Sequence, residues 1–459
     1  MGGLLSMLTS TTGALDTHQV GLETVGQNLA NVNTPGYARR TVQLAEVPPG
    51  IDNSGGGVTV QAIQAARDLF TQRRLLAAQP HAAAQATMAN LLGTAQAAIG
   101  LPGQSISGGL SSYFDAWSQL ATNPTSTTAR QGVVREAQAL GQSFHDVADQ
   151  LGQVQRQADQ QVRSSVDTIT NLANQIATLN AGLVAAGGSG TPPGGTIEDQ
   201  LYSAINDLSK QADISVIVQS NGQFNVSFAN GRALVVGGNS YPPTVTTGPG
   251  GMAQVIAHDG TDMTSSLTGG QIGGAIQVRD TTVPAYLNQL DTLAAAIVQQ
   301  TNTVHAAGYD LNGAAGGSFF TPLGSVAGAA SAMTVDAAIV ADPSRIAAAG
   351  AASPGDNQNA RALANLANQP TVGAATFSQS WATLMYQVGQ DTKVAQDSQQ
   401  TYDGIVNQLQ ALSDATSGVS INEEAATLLK FQRAYQASAQ YFSAINGTLT
   451  TLFSMVGAQ

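Results

Sequence analysis

The chain has 459 residues, of which only 10% are charged, and its net charge is −12. Because binding to phosphates needs clustered lysine and arginine, this composition excludes nucleic acid as the expected partner. The absence of cysteine excludes disulfides and thiolate metal sites, and the length predicts more than one domain.

The first predicted element is a helix that runs from the N-terminus to about residue 32. Its apolar residues recur at alternating steps of four and three, which is the spacing of coiled-coil packing. They are Leu4, Leu8, Leu15, Leu22, Val25, Leu29 and Val32. The stretch "NTPGYARR", which starts at Asn33, ends this helix because proline restricts the residue before it and glycine is typical beyond a helix end. No basic residue precedes Arg39, so the head lacks the positive segment of a secretory signal.

A long rod-forming helix is predicted in the next part of the chain. A helical pattern without proline extends from about Thr127 to Ala185, which corresponds to roughly 90 Å at about 1.5 Å per residue. Its apolar stripe contains one change of step, of the kind that locally unwinds a supercoil. The stripe comprises Val133, Ala137, Leu140, Phe144, Val147, Leu151, Val154, Ala158, Val162, Val166, Ile169, Ala173, Ile176 and Leu183. A shorter helix before it carries Tyr113, Phe114 and Trp117, which we assign to the rod core rather than to a ligand-binding platform.

A small β-rich domain follows the rod helix and extends to about residue 265. The segment "DISVIVQSNGQFNVSFANGRALVV" alternates apolar and polar residues around two turns. Asn221–Gly222 and Asn230–Gly231 are typical of tight hairpins, because type I′ turns require positive φ.

Helical spacing returns between Leu287 and Val304, with Pro284 as a first-turn residue. The preceding "GGQIGG" at Gly269 lacks the spacing of a phosphate-binding loop, and we predict a turn there. The glycine- and alanine-rich stretch 311–355 is predicted to be irregular or β.

Two further helices complete the chain. The first keeps a heptad from Phe377 to Leu412, and the second begins at Ile421. The apolar stripe of the second helix comprises Ile421, Leu428, Tyr435, Phe442, Leu449 and Phe453. No charged residue follows Arg433, yet polar residues interrupt the apolar ones, and no run reaches the 18 that a membrane span needs. We therefore predict an interaction surface and no membrane span.

These elements predict a multidomain, mainly α fold. An elongated, coiled-coil-like helical rod is built from N- and C-terminal segments and carries a small inserted β-rich domain. The predicted boundaries are 1–60 for the N-terminal helix and loop, 61–195 for the N-terminal part of the rod, 196–265 for the projecting β-rich domain, 266–310 for the return segment of the rod, 311–355 for an irregular or β insert, 356–416 for the C-terminal part of the rod and 417–459 for the C-terminal helix. This nested order allows the two terminal helices to pack on each other. The alternative is that both are ordinary amphipathic helices of a globular core.

The sequence contains no motif that indicates catalysis. G-x-S-x-G, the P-loop and H-E-x-x-H are all absent. None of the five histidines has a second ligand at i+3 or i+4; His18 lies on a helix stripe, and His305 is the weak candidate for chemistry. Asp259 and Asp262 lack the later carboxylate of a calcium loop, which favours a solvated hairpin. We predict no catalytic residue, cofactor or metal site.

Both ends of the chain resemble those of a known family. "NLANVNTPGYARR" resembles the N-terminal signature of flagellar axial proteins, which are rod, hook and hook-associated proteins. "SINEEAATLLKFQRAYQASAQYFSAINGTLTTL" is similar to their C-terminal signature. Internal stretches such as "LTGGQIGGAIQVRDTTVPAYLNQLDTLA" and "GYDLNG" resemble the hook-associated members, so that the resemblance covers most of the chain.

The resemblance implies a structural protein of the bacterial flagellum that forms the junction between hook and filament. Its terminal helices would polymerise as the inner layer of a tube outside the cell, after export of the unfolded chain from the cytoplasm by type III secretion. The signature loop would comprise Asn31, Asn33, Pro35, Gly36 and Tyr37. The implied partners are further copies of the chain, the hook protein, a second junction protein and an export chaperone that contacts Leu428, Phe431, Tyr435 and Phe442. Another axial protein, such as hook or distal rod, and a secreted enzyme or adhesin with axial-type ends remain alternatives.

Overall fold

The computed structural model describes residues 2–34, 36–48, 56–100, 106–187, 194–353 and 355–456. The fold is mainly α, as predicted. Its α-helices are α1 (Gly2–Ala30), α2 (Leu69–Ile99), α3 (Ile106–Thr122), α4 (Thr127–Ala185), α5 (Gly194–Gln211), α6 (Gly270–Gln277), α7 (Val283–Ala306), α8 (Ala329–Ala332), α9 (Ala337–Ala341), α10 (Gln358–Asn365), α11 (Phe377–Ser417) and α12 (Ile421–Val456). Its strands are β1 (Arg40–Val47), β2 (Gly57–Ala65), β3 (Ile214–Val218), β4 (Phe224–Phe228), β5 (Ala233–Val236), β6 (Asn239–Ser240), β7 (Thr244–Thr247) and β8 (Ala253–Ile256).

Helix α4 is the central element of the rod, and it begins and ends where the sequence pattern predicts. The Oγ of Ser126 caps it by accepting a hydrogen bond from the N–H of Ala129 at 3.2 Å. Every residue of the predicted apolar stripe is buried, and α2, α3, α5, α6 and α7 all pack on α4. Since burial of each large aliphatic side chain stabilises a fold by about 1.5–3 kcal/mol, this stripe holds the rod together.

Helix α11 packs mainly along α2 and completes the rod. Its N-terminal half buries Phe377, Trp381, Leu384 and Val388, which confirms the first part of the predicted heptad. Ile405 and Leu412, which the same heptad would bury, are exposed. Leu409 of the same half is buried, so the C-terminal half of α11 buries a narrower face than the heptad predicts.

The predicted turn over "GGQIGG" is wrong for most of the motif, because Gly270, Gly273 and Gly274 belong to helix α6 and Gly269 precedes it as the N-cap. Helix α6 continues through a π-helical turn at Val278–Thr282 into α7. A Cβ at Gly274 would collide with the backbone carbonyl of Ala84 on α2. Glycine is therefore needed at this position because α6 and α2 cross closely. A glycine-rich sequence alone does not distinguish such a helix crossing from a turn.

The β-rich part contains a four-stranded antiparallel sheet in the order β3-β4-β5-β6 and a separate β7–β8 hairpin. Both predicted hairpins are present, with Gly222 at φ 85° and Gly231 at φ 84°. Their turns are not of type I′, because the N–H groups of Gly222 and Gly231 donate to the carbonyls of Gln219 and Phe228, which places each glycine as the left-handed residue at the end of a three-residue loop. Helix α5 precedes this sheet and packs on α4 and α2. Segment 311–355 carries the short helices α8 and α9 and several isolated β-bridges. The domain boundaries of the sequence analysis stay predictions.

A buried ion pair attaches the β7–β8 hairpin to the rod. Nη1 of Arg279 donates to Oδ1 of Asp159 at 2.7 Å and to the carbonyl of Ala253 at 2.8 Å. The N–H of Ala253 donates to the same carboxylate at 2.6 Å. Burial alone would raise the pKa of Asp159, but the hydrogen bonds that it accepts outweigh burial and lower the pKa.

The predicted aromatic core of the rod is confirmed. Tyr113, Phe114 and Trp117 are buried, and their rings contact Phe319, Phe320 and Phe377. His305 lies beside Trp117 and is fully buried. Its Nδ1 lies 2.7 Å from the carbonyl of Gly317, and its Nε2 accepts from the N–H of Ala347 at 2.9 Å. These partners require a neutral ring with the proton on Nδ1. His305 is thus a structural histidine.

This arrangement predicts a pH-dependent stability. Burial lowers the pKa of His305 below its ordinary value of 6.5, and the charge of Arg130 lowers it further, although the bond to Gly317 opposes them. The unfolded chain therefore binds the proton more tightly, so this contribution to stability is complete above pH 6.5 and is lost as the pH falls through the folded-state pKa. We expect His305→Gln to flatten the profile of unfolding free energy between pH 5 and 7, measured by urea denaturation. Equal profiles for the wild type and His305→Gln would contradict this expectation.

Candidate assembly site

The two terminal helices, α1 and α12, pack on each other along most of their length. A Cβ at Gly21 would lie 2.5 Å from the ring of Phe431, so glycine here lets the aromatic ring press against the backbone of α1. Asn28, two turns further along α1, contacts Glu424, which lies two turns earlier on α12. The helices are therefore antiparallel. We call this unit the terminal pair.

The residues predicted to form the polymerisation interface fall into two groups in the structure. One group is covered at least in part: Val25 is buried, and Leu4, Leu8, Leu15, Leu22, Leu29, Val32, Leu428, Phe442 and Leu449 are half-buried. The other group is exposed on α12: Ile421, Tyr435 (37% accessible) and Phe453 (63% accessible). The line of α12 that is buried most deeply starts at Glu424 and includes Ile445.

A polar cluster lies where the C-terminal end of α1 meets the N-terminal end of α12, and we call it the joint. Glu424 is 1% accessible. Its Oε2 accepts from Nδ2 of Asn28 at 3.0 Å, and its Oε1 accepts from Nε of Arg39 at 2.7 Å. Arg39 also pairs with Glu423 at 3.2 Å. Each carboxylate oxygen of Glu424 therefore has a hydrogen-bond partner, which is the condition under which burial of a carboxylate is tolerated.

The predicted signature loop leads directly into the joint. The hydroxyl of Tyr37 donates to Oδ1 of Asn28 at 2.8 Å, and burial raises the pKa of Tyr37. Asn31 bonds the carbonyl of Gln27 at 2.9 Å, and Gly36 adopts a positive φ of 79°. Asn33 is exposed, and Pro35 lies outside the described residues.

Two contacts attach the terminal pair to the rod. The guanidinium groups of Arg40 and Arg67 both bind the carboxylate of Asp199 on α5. The N–H of Arg39 donates to the carbonyl of Ser417, the last residue of α11, at 2.8 Å. The β1–β2 hairpin lies along α1, where the hydroxyl of Ser10 donates to the carbonyl of Gly56 at 2.7 Å. The loop thus joins the terminal pair, hairpin and rod at one place.

Three family models match different parts of the chain. The model of the flagellar hook-associated protein FlgK helical domain matches residues 92–320. The flagella basal body rod protein model matches residues 8–37, and that of the flagellar basal body rod FlgEFG protein C-terminal region matches residues 413–455. The two rod-protein matches coincide with the terminal pair, and the first covers the central rod. The chain belongs to the flagellar hook-associated protein family. It is therefore a structural component of the bacterial flagellum.

Comparison with known proteins agrees with this assignment. This hook-associated protein is 26% identical to flagellar hook-associated protein 1 of Escherichia coli (strain K12) over 554 aligned residues, which include 98% of the chain and 100% of the relative. It is 25% identical to flagellar hook-associated protein 1 of Bacillus subtilis (strain 168), with 93% of each chain covered. The solved structure of the flagellar hook junction protein FlgK from Burkholderia pseudomallei matches its fold with a TM-score of 0.67 at 18% identity, over 75% of this chain and 100% of that one.

Within the described residues, no cluster of three or more His, Asp or Glu side chains could hold a metal ion. None of the described helices combines the length and the apolar character of a membrane span.

Sequence reasoning missed the residues of the joint. Asn28, Arg39 and Glu424 are polar and lie beside the apolar stripes, so a search for hydrophobic periodicity passes over them. One usable signal is the pair Glu423–Glu424, which supplies all the acidic residues of a helix that is otherwise nearly uncharged. Buried polar residues of this kind need a partner, and Arg39 is the first basic residue of the chain.

Proposed function

We propose that this protein forms the junction between hook and filament by polymerising through the terminal pair. The observation that carries the proposal is the surface of α12. This helix uses one line of residues against α1, and Ile421, Tyr435, Tyr441, Phe453 and Met455 remain exposed beside it. These side chains flank the buried line on both sides, and exposed apolar residues in this number are typical of an interaction site.

Assembly would cover these side chains. Full burial of a large apolar side chain contributes about 1.5–3 kcal/mol. Burial of several of them therefore offsets the entropic cost of ordering the chain during assembly. A tube built from one kind of subunit needs heterologous contacts, in which one face of a copy meets a different face of the next. Further copies of this chain therefore bind sideways, and the hook protein and a second junction protein bind at the two ends of the ring.

Export requires that the apolar helix be masked before assembly. The chain would leave the cytoplasm unfolded through the flagellar type III system, with a chaperone on its C-terminal segment. Leu428, Phe431 and Phe442 are half-buried against α1, whereas Tyr435 is more exposed. A chaperone that grips this face must therefore displace α1, so chaperone binding and the terminal pair exclude each other. Helix-in-groove recognition of this kind uses apolar anchors along one face.

The chaperone proposal predicts that a peptide of residues 418–459 binds the cognate chaperone with a negative change in heat capacity in titration calorimetry. Replacing both Phe431 and Tyr435 with Ser should weaken binding by more than about tenfold, since two apolar anchors are lost. Asn446→Ser, at an exposed polar position of the same helix, is the matched control. Equal affinity of the full chain and of a chain truncated after residue 417 would exclude the tail as the binding site.

Two other functions are less well supported. Hook or distal-rod identity is disfavoured because the match to the FlgK helical domain covers the middle of the chain. A secreted enzyme with axial-type ends would need a constellation of reactive groups in the β-rich part or the insert. His305 and Asp310, which are buried in the segment between these two parts, both hold backbone groups in place.

Deletion of the gene from its motile host tests the proposal. Electron microscopy should show hooks without filaments, and filament protein should accumulate in the medium. Expression of the full chain from a plasmid should restore filaments. Normal filaments on the deletion strain, or the loss of hooks as well, would contradict a junction role.

A further inference from the structure

The charges of the terminal pair are distributed unevenly between its two helices. Helix α1 carries two acidic residues, Asp16 and Glu23, and no lysine or arginine. The acidic residues of α12, Glu423 and Glu424, are both engaged by Arg39. The charges that remain on α12 are those of Lys430 and Arg433. One helix of the pair therefore presents two negative charges, and the other presents two positive charges.

All four of these side chains are exposed. Among the described residues, no opposite charge of the same chain lies within ion-pair distance of any of them; Glu23 accepts only a hydrogen bond from Gln19 at 3.1 Å. Asp16 and Glu23 are seven residues apart and so share one face of α1. Lys430 and Arg433 are three residues apart and share one face of α12.

The packing of the terminal pair places the two sets of charges at the same height. Gly21 lies opposite Phe431, and Asn28 lies opposite Glu424. These two contacts fix the antiparallel register, so each residue of α1 can be matched to the residue of α12 at the same position along the helix axis. By this register Lys430 is level with Leu22, and Arg433 is level with Gln19. Both basic residues therefore lie between the levels of Asp16 and Glu23, within a band of about 10 Å along the helix axis.

We propose that this band is the lateral contact between copies, in which Asp16 and Glu23 of one chain pair with Lys430 and Arg433 of the next. The occupant is a second copy of this chain, since the two faces are complementary in charge and lie at equal height on every subunit. Side-by-side copies at similar height would bring an acidic α1 against a basic α12. The contact is heterologous and repeats around a ring, as the proposed function requires, and this inference rests on that function. Complementary charges of this kind set register and exclude wrong pairings more than they add affinity.

Crosslinking between two differently labelled copies tests the contact. The chain has no cysteine, so Glu23→Cys in one copy and Lys430→Cys in the other introduce the only thiols. Both copies are expressed together in a strain that lacks the native gene, and isolated hooks are oxidised. We expect a disulfide-linked dimer that contains one of each copy. The control pair is Glu23→Cys with Asn446→Cys, because exposed Asn446 lies about 24 Å from Lys430 along α12. The yield of crosslinked dimer from this pair should be at least about tenfold lower.

A charge-reversal experiment is the second test of the lateral contact. The variant Asp16→Lys/Glu23→Lys should reduce the number of filaments by at least about fivefold, because two like-charged faces then meet. Addition of Lys430→Glu and Arg433→Glu to the same chain should restore filaments. All four positions are exposed, so the melting temperature of the rod should not change.

The outcomes separate this inference from the proposed function. Equal yields from both cysteine pairs, capture of a different protein by the thiol of the Glu23→Cys copy, or normal filaments on the reversed variant would overturn the lateral contact while leaving the junction role intact. Failure of the wild-type chain to associate with itself at all would overturn both.

Discussion

Replacing Ile445 with Asp should separate α12 from α1 and abolish filament formation. Ile445 is 5% accessible within the terminal pair, and an uncompensated buried carboxylate costs about 3–5 kcal/mol. The packing of α12 against α1 has to oppose this cost. In the purified chain, we expect limited proteolysis to remove α12 much faster than in the wild type. The melting temperature of the rod should stay the same, because α4 and its neighbours do not use this residue.

Gln440→Asp is the matched control for this experiment. It introduces the same carboxylate at an exposed position of the same helix, and it should leave the proteolysis rate of the purified chain unchanged. Val25→Asp, which changes the opposite side of the seam at a residue that is 3% accessible, should reproduce the effect of Ile445→Asp. If α12 is removed from the Ile445→Asp chain no faster than from the wild type, the terminal pair is not held by this seam.

The second large effect concerns the rod. We expect Arg279→Ala to destabilise it by about 3–5 kcal/mol, since the change leaves the Asp159 carboxylate and the carbonyl of Ala253 without their buried partner. Differential scanning calorimetry of the full chain should show a lower rod transition and earlier loss of the β7–β8 hairpin.

Arg163 offers a matched comparison, because it binds the other oxygen of the same carboxylate at 2.9 Å but remains 40% accessible. Surface ion pairs contribute about 0–1 kcal/mol, so Arg163→Ala should have a much smaller effect. Equal destabilisation by the two substitutions would argue that the buried Arg279–Asp159 ion pair does not attach the β7–β8 hairpin to the rod.

The rod was the part of the fold that could be predicted best. All fourteen stripe residues named for α4 are buried, because a helix that is covered by several neighbours must present apolar residues at regular intervals. The two hairpin turns were equally readable, since Asn–Gly at each position meets a local demand for positive φ. Both features depend on short-range rules that a single sequence expresses fully.

The terminal helices were less predictable in detail. Heptad counting from Ile421 gave a stripe that includes Tyr435 and Phe453, which are exposed, and omits Ile445, which is buried. Helix α12 is apolar on more than one side, so its sequence cannot indicate which side meets α1 and which side meets another molecule. Such ambiguity is expected of a helix with several partners. The joint was missed because its polar residues are separated by almost four hundred positions in the sequence.

Electron cryomicroscopy of isolated hook–filament junctions tests the central claim most directly. We expect a ring of copies of this chain whose inner layer consists of α1–α12 pairs, with Tyr435 and Phe453 buried between neighbouring copies and the β-rich part on the outside. A ring whose inner layer lacks α1 and α12, or in which the exposed side chains of α12 face solvent, would contradict assembly through the terminal pair.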